Sequence, residues 1–221
     1  MRFFIDTANL DQIAEAKALG ILDGVTTNPS LMAKEGIKGA ANIKAHYKKI
    51  CKIVADNQGD VSAEVIATDL AGMISEGEEL ANINENIVVK VPMTIDGVKA
   101  ISHFSKVGIR TNCTLIFSSA QAILAAKAGC TYISPFIGRL DDTNWDGVSL
   151  IKEISEIFDI QLYDTEILAA SIRTSRQIVE VAKAGADIVT CPLDCILGMF
   201  NHPLTKIGLD KFLADHNKLN G

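Results

Sequence analysis

The sequence predicts an α/β protein built as a single (β/α)₈ barrel, the TIM-barrel fold, with one additional C-terminal helix. Three observations predict it: a recurring helix–glycine–strand phrase, eight apolar strand-like segments, and no linker or low-complexity stretch within 221 residues. In the phrase, a lysine near the negative end of a helix precedes a glycine that can adopt the left-handed cap, and a strand then begins. Repeats of this kind favour a parallel sheet. The phrase occurs at 16–20, 105–108, 126–129 and 182–185.

The strands alternate with helical patterns along the whole chain. Asn9 is expected to cap the first helix and Ser118 the fifth, because short polar side chains accept from backbone amides there. A barrel typically needs ~250 residues and at least ~200, so short loops are expected. The alternative is a doubly wound open sheet, but no GxGxxG fingerprint follows any strand. We predict one domain over residues 1–221 and a C-terminal helix at about 205–217. The predicted strands lie near residues 2–6, 24–28, 61–66, 87–92, 110–116, 132–137, 165–171 and 187–192.

Composition limits the classes of partner. The formal net charge of −6 makes the chain a poor candidate for binding nucleic acid or anionic lipid. The opening Met-Arg-Phe-Phe-Ile-Asp is not a signal peptide, and no apolar run reaches membrane-spanning length. We therefore expect a cytoplasmic protein with reduced thiols. The cysteines are Cys51, Cys113, Cys130, Cys191 and Cys195.

Polar side chains interrupt the carboxyl halves of seven predicted strands, most of them in pairs spaced by two. Residues i and i+2 share one face of a strand, and parallel strands covered on both sides are normally continuous apolar runs. A closed barrel would direct these side chains into one cup at its carboxyl end, where barrel active sites lie. The set comprises Asp6, Thr26, Asn28, Ser62, Glu64, Lys90, Asn112, Thr114, Ser134 and Ser171, and Phe136 shares the strand face of Ser134.

Lys90 is the most specific feature, because it interrupts the apolar run Ile87–Pro92. A buried ammonium is costly unless it is paired, and such a group commonly loses its proton. A neutral amine attacks carbonyl carbon, so Lys90 is a candidate Schiff-base nucleophile. The alternatives are a lysine pointing into solvent, or a buried ion pair with Glu64.

Asp6 and Glu64 could supply the proton transfers that imine chemistry requires. Each alone has a simpler interpretation, Asp6 as a cap and Glu64 as an ion-pair partner. Neither a metal nor another cofactor is expected, because a protonated imine is itself an electron sink. The histidines are scattered over predicted helices and loops, and we interpret them as surface residues. They are His46, His103, His202 and His216.

Two arginines follow the sixth and seventh strands, Arg139 and Arg173, and Ser171 stands two residues before the second. Barrels often hold phosphate near their last strands, with guanidinium groups and hydroxyls as donors. Each arginine alone could equally form a surface salt bridge. Together they favour an anion site.

At these residues the chain resembles the short transaldolases, the subfamily that also contains fructose-6-phosphate aldolases. The resemblance covers essentially the whole chain and implies that Lys90 forms the Schiff base and Asp6 is the acid/base at the carbon–carbon bond. It also implies that Glu64 and Thr114 hold the water of imine formation. The residues implied to bind dihydroxyacetone are Asn28, Asn112 and Ser134, and those implied to hold phosphate are Arg139, Ser171 and Arg173. The resemblance rests on Phe4–Ala8, Gly24–Ser30, Val88–Pro92, Thr111–Ser118, Ser134–Arg139 and Ala169–Arg173.

Three features separate the branches of the subfamily. The aldolase branch carries Gln and Tyr where Glu64 and Phe136 stand, and it lacks the pattern of 112–114. The resemblance therefore implies a transaldolase that moves dihydroxyacetone from sedoheptulose 7-phosphate or fructose 6-phosphate to an aldose phosphate, in the pentose phosphate pathway. A fructose-6-phosphate aldolase is the alternative, and a catalytically silent phosphosugar-binding barrel is a second class.

The tail carries Leu209, Phe212 and Leu213 at helical spacing. Packing onto its own barrel is one interpretation. The resemblance implies instead a homo-oligomer, a ring or decamer in which this helix crosses to a neighbour.

Overall fold

The barrel is closed, and its eight strands follow one another in chain order, each parallel to the next, which confirms the predicted fold class. The computed structural model describes residues 1–220, with all their side chains except those of residues 57 and 220. Gly221, the last residue of the predicted domain, lies outside the described residues. The strands are β1 (Arg2–Asp6), β2 (Gly24–Thr26), β3 (Asp60–Glu64), β4 (Ile87–Pro92), β5 (Thr111–Ile116), β6 (Tyr132–Pro135), β7 (Glu166–Ala169) and β8 (Ile188–Cys191).

Helices cover the outside of the barrel, and two of them follow β2. The additional C-terminal helix is the last of them. The helices are α1 (Leu10–Ala18), α2 (Pro29–Lys34), α3 (Ala40–Val54), α4 (Leu70–Ala81), α5 (Ile95–Lys106), α6 (Ser119–Lys127), α7 (Ile137–Asp141), α8 (Gly147–Gln161), α9 (Ser175–Lys183), α10 (Leu193–Gly198) and α11 (Pro203–Asn220), and a 3₁₀ turn spans Ala55–Asn57.

The predicted helix boundaries are confirmed at both caps and at the glycine phrases. Asn9 accepts the amide of Gln12 at 3.0 Å, and Ser118 accepts that of Gln121 at 3.3 Å. Ser118 caps α6 rather than a fifth helix, because the segment after β2 forms two helices. The four phrase glycines all have positive φ angles, a backbone conformation that glycine adopts without strain. They are Gly20, Gly108, Gly129 and Gly185.

Several strands are shorter than predicted at their carboxyl ends. The segment 24–28 ends as a strand at Thr26, because Asn28 is the N-cap of α2 and accepts the amide of Leu31 at 2.9 Å. The segment 165–171 ends at Ala169, and Ser171 adopts a left-handed backbone with φ of 59°. These side chains therefore reach the mouth of the barrel from loops.

Buried apolar side chains form two separate clusters, a small one inside the barrel and a larger one between the strands and the surrounding helices. Phe4 and Tyr132 meet edge to face in the small cluster, with ring centroids 6.2 Å apart. Three ionic or hydrogen-bonded contacts lie toward the amino ends of the strands: Arg110 with Asp60 at 2.6 Å, Arg2 with Glu166 at 2.5 Å, and the Tyr132 hydroxyl donating to Asp60. Burial and Asp60 raise the pKa of Tyr132 to about 12, so it stays a neutral donor. The interior apolar cluster comprises Phe4, Val88, Tyr132, Leu168, Ala170 and Ile188.

A bulge in β5 changes the direction of its last side chains. Leu115 has φ of 62°, and the pairing with β6 shifts between Cys113 and Ile116. Ile116 is consequently buried in the outer layer, although strict alternation from Thr114 would turn it inward. Cys113 also packs in that outer layer, as expected from alternation.

The interpretation of the histidines as surface residues is wrong for His46. This side chain is buried on the inner face of α3, and its Nε2 lies 2.7 Å from the carbonyl oxygen of Ala8. A buried imidazole of this kind braces the loop after β1. His202 is exposed, and His103 is partly exposed beside Glu78.

All the cysteines are free and buried. Within residues 1–220, no helix combines the length and apolarity needed to cross a membrane.

Gly97 permits a close approach of α5 to the end of β4. A Cβ at this position would lie 2.0 Å from the carbonyl oxygen of Pro92. We predict that Gly97→Ala lowers the free energy of unfolding by about 1–3 kcal/mol, since the backbone must shift to admit the methyl group. Urea unfolding measures this, with Ser105→Ala on the exposed face of α5 as a control expected within about 0.5 kcal/mol of the parent. Equal midpoints for the two variants would contradict the prediction.

Candidate active site

A cavity of about 140 Å³ opens at the carboxyl end of the barrel. Its walls combine an amine, a carboxylate, hydroxyls, an amide and a guanidinium group, all drawn from strand ends and the loops that follow them. Most of the candidate residues are thus brought together in one place, which we call the mouth cavity. Its lining residues are Asp6, Thr26, Asn28, Lys90, Ser134, Phe136, Arg139, Ala170, Ser171 and Thr190.

Lys90 is only 5% exposed, and β4 directs it into the mouth cavity. Its Nζ lies 3.2 Å from Oε2 of Glu64 and donates to the carbonyl oxygen of Thr27 at 3.1 Å. The strand register sets Lys90 opposite Glu64 on β3 and opposite Asn112 on β5. The interpretation of Lys90 as a solvent-facing lysine is therefore wrong, whereas the buried ion pair with Glu64 is present. The amine keeps an open side, because it also lines the cavity.

A chain of hydroxyls ends at Asp6. The Thr26 hydroxyl donates to Oδ1 of Asp6 at 2.7 Å and lies 2.6 Å from the hydroxyl of Thr190. Since the Thr26 proton is used on Asp6, Thr190 donates to Thr26. Sequence reasoning did not single out Thr190; the available signal was its spacing of two from the inward-facing Ile188 on β8.

Asn112 lies behind the cavity and positions one of its walls. Its Nδ2 donates to the Ser62 hydroxyl at 3.1 Å, and its Oδ1 accepts from the Ser134 hydroxyl at 2.7 Å. Asn112 and Ser62 are fully buried, and only Ser134 of the three lines the mouth cavity. The network fixes both the amide and the Ser134 hydroxyl, so Asn112 acts here through Ser134.

Thr114 is 1% exposed, and its Oγ1 has no hydrogen-bond partner among the described residues. It lies opposite Pro92 in the register, one inward position beyond the partner of Lys90. A buried hydroxyl without a partner usually marks the position of a water or a ligand group. Thr114 therefore offers an unused hydrogen bond on the strand that neighbours Lys90.

The arginines occupy different environments. Arg139 lines the mouth cavity with Ser171, and its guanidinium lies 5.7 Å from the centroid of the Phe136 ring. Arg173 does not line the cavity, because both of its terminal nitrogens pair with the Asp142 carboxylate at 2.5 Å. Asp142 raises the pKa of Arg173, and hydrogen bonding from Arg173 lowers the pKa of Asp142. The surface salt bridge considered from sequence is thus what Arg173 forms in this structure.

Gly138 allows α7 to approach the loop that carries Ser171. Its amide donates to the carbonyl oxygen of Ser171 at 3.0 Å. A Cβ on Gly138 would lie 2.3 Å from that oxygen and 2.7 Å from Nε of Arg173. This tight contact keeps Arg139, one residue further along α7, beside Ser171.

Two larger cavities among the described residues lack this combination of groups. One of about 290 Å³ between α6 and α8 has carboxylates and hydroxyls but no amine. Another of about 540 Å³ at the start of α11 is lined only by exposed side chains. No group of three histidine, cysteine or acidic side chains in the described part of the chain could hold a metal ion.

The fold and the cavity together define a (β/α)₈ barrel with a buried lysine that lines a cavity at the carboxyl end of its strands. The family model described as Transaldolase/Fructose-6-phosphate aldolase matches residues 3–220. The chain therefore belongs to the transaldolase/fructose-6-phosphate aldolase family. Membership supports transaldolase-type activity.

Relatives match over the full length. A probable transaldolase of Phocaeicola vulgatus is 65% identical over 221 residues, covering 100% of both chains. One of Bacteroides fragilis is 64% identical over 220 residues, again with 100% coverage of both. Among solved structures, a thiamine phosphate pyrophosphorylase from Pyrococcus furiosus matches with a TM-score of 0.59 at 14% identity, over 86% of this chain and 84% of that one. This last likeness concerns the fold alone.

We predict that Thr26→Val lowers kcat about tenfold, because Asp6 loses its only donor from this chain of hydroxyls and with it a fixed orientation. Thr190→Val should lower kcat less, since Thr26 can still donate to Asp6. Steady-state transfer assays of both isosteric variants check the order. A larger loss in Thr190→Val than in Thr26→Val would contradict the proposed direction of the chain.

Proposed function

We propose that this protein is a transferase of the transaldolase type, which moves a dihydroxyacetone unit through a Schiff base on Lys90. The donor is sedoheptulose 7-phosphate or fructose 6-phosphate, and the acceptor is erythrose 4-phosphate or glyceraldehyde 3-phosphate. The observation that carries the proposal is a 5%-exposed lysine amine that opens on the mouth cavity and lies 3.2 Å from a carboxylate. No metal or cofactor takes part in the proposed reaction.

In the first step, the Lys90 amine loses a proton, attacks the ketone carbon C2 and forms a carbinolamine. Glu64 accepts the amine proton and returns one to the C2 hydroxyl, which leaves as water while the protonated imine forms. The short distance from Glu64 to Nζ supports this assignment. The unpartnered hydroxyl of Thr114 supports a water site beside it.

In the second step, Asp6 accepts the proton of the C4 hydroxyl and the C3–C4 bond breaks. The bonding electrons move into the protonated imine and give an enamine on Lys90, while the shortened aldose leaves. An acceptor aldehyde then reverses these steps, with Asp6 returning the proton to the new hydroxyl. The Thr190–Thr26 chain supports this role, since it holds Asp6 in one orientation at the cavity wall.

The polar walls suit the two ends of the sugar. Ser134 is placed by Asn112, and Asn28 keeps its amide nitrogen to donate because its oxygen accepts from Leu31. We assign these groups, with Thr26, to the hydroxyls of dihydroxyacetone. Arg139 and Ser171, which also line the mouth cavity, would bind the phosphate. Arg173 would join them by exchanging Asp142 for phosphate oxygens.

Phe136 favours transfer over free aldol cleavage. Its ring lines the mouth cavity and meets Phe117 edge to face at 5.7 Å. A phenyl ring has no proton to donate, so water near the enamine is not polarised there and the enamine waits for an aldehyde. The aldolase alternative would require a donor at this position.

Wider features of the protein follow from the same proposal. We place the enzyme in the cytoplasm and in the pentose phosphate pathway, and we treat residues 1–221 as one domain without nucleic-acid or membrane partners. A homo-oligomer, a ring or decamer, is supported by the exposed apolar side chains of α11. A monomer measured by light scattering would contradict the proposed homo-oligomer. These side chains include Leu204, Ile207, Leu209, Phe212 and Leu213.

Lys90→Met should abolish the covalent adduct and lower transfer at least about 10⁴-fold, because no other amine lines the mouth cavity. The wild type incubated with fructose 6-phosphate and borohydride should gain one reduced sugar adduct by mass spectrometry. Lys99→Met, an exposed lysine on α5, is the matched control and should retain both adduct and activity. An adduct on the Lys90→Met protein, or full turnover, would refute the mechanism.

Phe136→Tyr should raise acceptor-independent cleavage of fructose 6-phosphate about tenfold or more, since a phenol can donate near the enamine. The measurement is release of glyceraldehyde 3-phosphate with and without erythrose 4-phosphate. Phe117→Tyr, which changes the neighbouring ring outside the mouth cavity, should leave the ratio of acceptor-independent cleavage to transfer unchanged. Rapid cleavage by the wild type without acceptor would instead favour the aldolase alternative.

A further inference from the structure

Glu64 borders a second cavity, outside the barrel. This cavity of about 140 Å³ lies between α3 and α4, and we call it the α3–α4 cavity. Its walls include Glu64, Ile43, Lys44, Glu76, Glu79 and Leu80. Lys90 is absent from these walls, and Glu64 is absent from those of the mouth cavity.

The exposures of the ion pair agree with this division. The Glu64 side chain is 16% exposed and that of Lys90 is 6% exposed. Since Glu64 lines the α3–α4 cavity and Lys90 lines the mouth cavity, the ion pair joins the walls of the two cavities. The carboxylate therefore stands between two compartments, with its Oε2 at 3.2 Å from the amine.

The α3–α4 cavity opens to solvent and carries charged side chains among mostly apolar walls. Lys44 pairs with Glu79 at 2.5 Å, and both side chains are partly exposed at the cavity wall. Glu76 is a third charged side chain in this wall. Its Oε2 accepts from the backbone amides of Ile66 and Ala67 at 2.6 and 2.9 Å. Because the cavity is open to solvent, water enters it beside these charged groups, and at ~30 Å³ per water it holds a few molecules.

We propose that the α3–α4 cavity is the water and proton path of the Schiff-base reaction. The inference rests on the proposed function. When the carbinolamine breaks down, one C–O bond breaks, the oxygen leaves as one water with a proton from Glu64, and the imine C=N bond forms. Hydrolysis takes one water back. A ketose phosphate fills the mouth cavity during both events, so water exchanges with solvent past Glu64 rather than past the sugar.

Isotope exchange separates this path from the chemistry itself. Fructose 6-phosphate labelled with oxygen-18 at C2 loses its label to solvent each time the released water escapes before the imine is hydrolysed. If the path is blocked, the same water returns and the label is kept, although transfer to erythrose 4-phosphate continues. The informative quantity is the ratio of label loss to transfer, measured on the full chain.

Ile43→Phe and Ala40→Phe each add a ring to the cavity wall from a different position on α3, so one remains informative if the other destabilises the protein. Each should lower the ratio about fivefold or more, because a ring displaces the few waters that the cavity holds. Ala45→Phe, on an exposed part of the same helix and outside the cavity wall, should leave the ratio unchanged.

Two results would overturn the inference, and they are distinguishable from failure of the proposed function. If Ile43→Phe or Ala40→Phe folds and its ratio of label loss to transfer is unchanged, water leaves through the mouth cavity instead. An equal fall in Ala45→Phe would show that the effect is not local. A wild type without label loss and without a borohydride adduct would remove the Schiff-base function itself.

Discussion

The contact on which the structure of the site depends is the buried pair between Lys90 and Glu64. Taking an ammonium and a carboxylate out of water costs several kcal/mol for each ion, and mutual attraction offsets this only with good geometry and further hydrogen bonds. The barrel provides that geometry, because the parallel register sets Glu64 opposite Lys90 and brings the Thr27 carbonyl to Nζ. An amine held this way is fixed in position while one side stays open to a cavity. A lysine that was merely buried would lack that open side.

The rest of the barrel helps to offset the desolvation cost of this pair, because apolar, ionic and reactive regions are separated along its axis. Contacts among Arg2, Glu166, Asp60 and Arg110 lie toward the amino ends of the strands. Apolar side chains fill the middle, and hydroxyls, amides and the lysine occupy the carboxyl end. The apolar middle separates the polar groups at the mouth from the ionic contacts at the amino ends, and hydrogen bonds are stronger in such surroundings than in water.

Sequence reasoning predicted what depends on local periodicity. Alternation along strands identified the inward-facing groups of the mouth cavity, and the lysine–glycine phrase located the helix ends at Gly20 and Gly185. It overextended strands where a side chain caps the next helix, as Asn28 does, because a cap and a strand end leave similar patterns.

Contacts between residues distant in sequence were not predictable in this way. The pairing of Arg173 with Asp142 joins the loop after β7 to the end of α7, and the burial of His46 depends on how α3 packs over the loop after β1. Thr190 was overlooked because one threonine in an apolar strand is unremarkable until Thr26 is seen 2.6 Å away. The bulge at Leu115 was not predictable either, because the left-handed backbone there is usually marked by a glycine and this position carries a leucine.

The two carboxylates of the site differ in surroundings, and this difference explains how one small cavity could run two proton transfers. Glu64 pairs with a cation and borders the α3–α4 cavity, whereas Asp6 accepts from a neutral hydroxyl chain and faces the mouth cavity. Groups with different partners and different access to water do not exchange roles readily. In the proposed reaction, Glu64 therefore handles the water of imine formation, and Asp6 handles the hydroxyl at the carbon–carbon bond. Lys90 contacts Glu64 and lines the same cavity as Asp6, so a single amine can serve both steps of the proposed reaction.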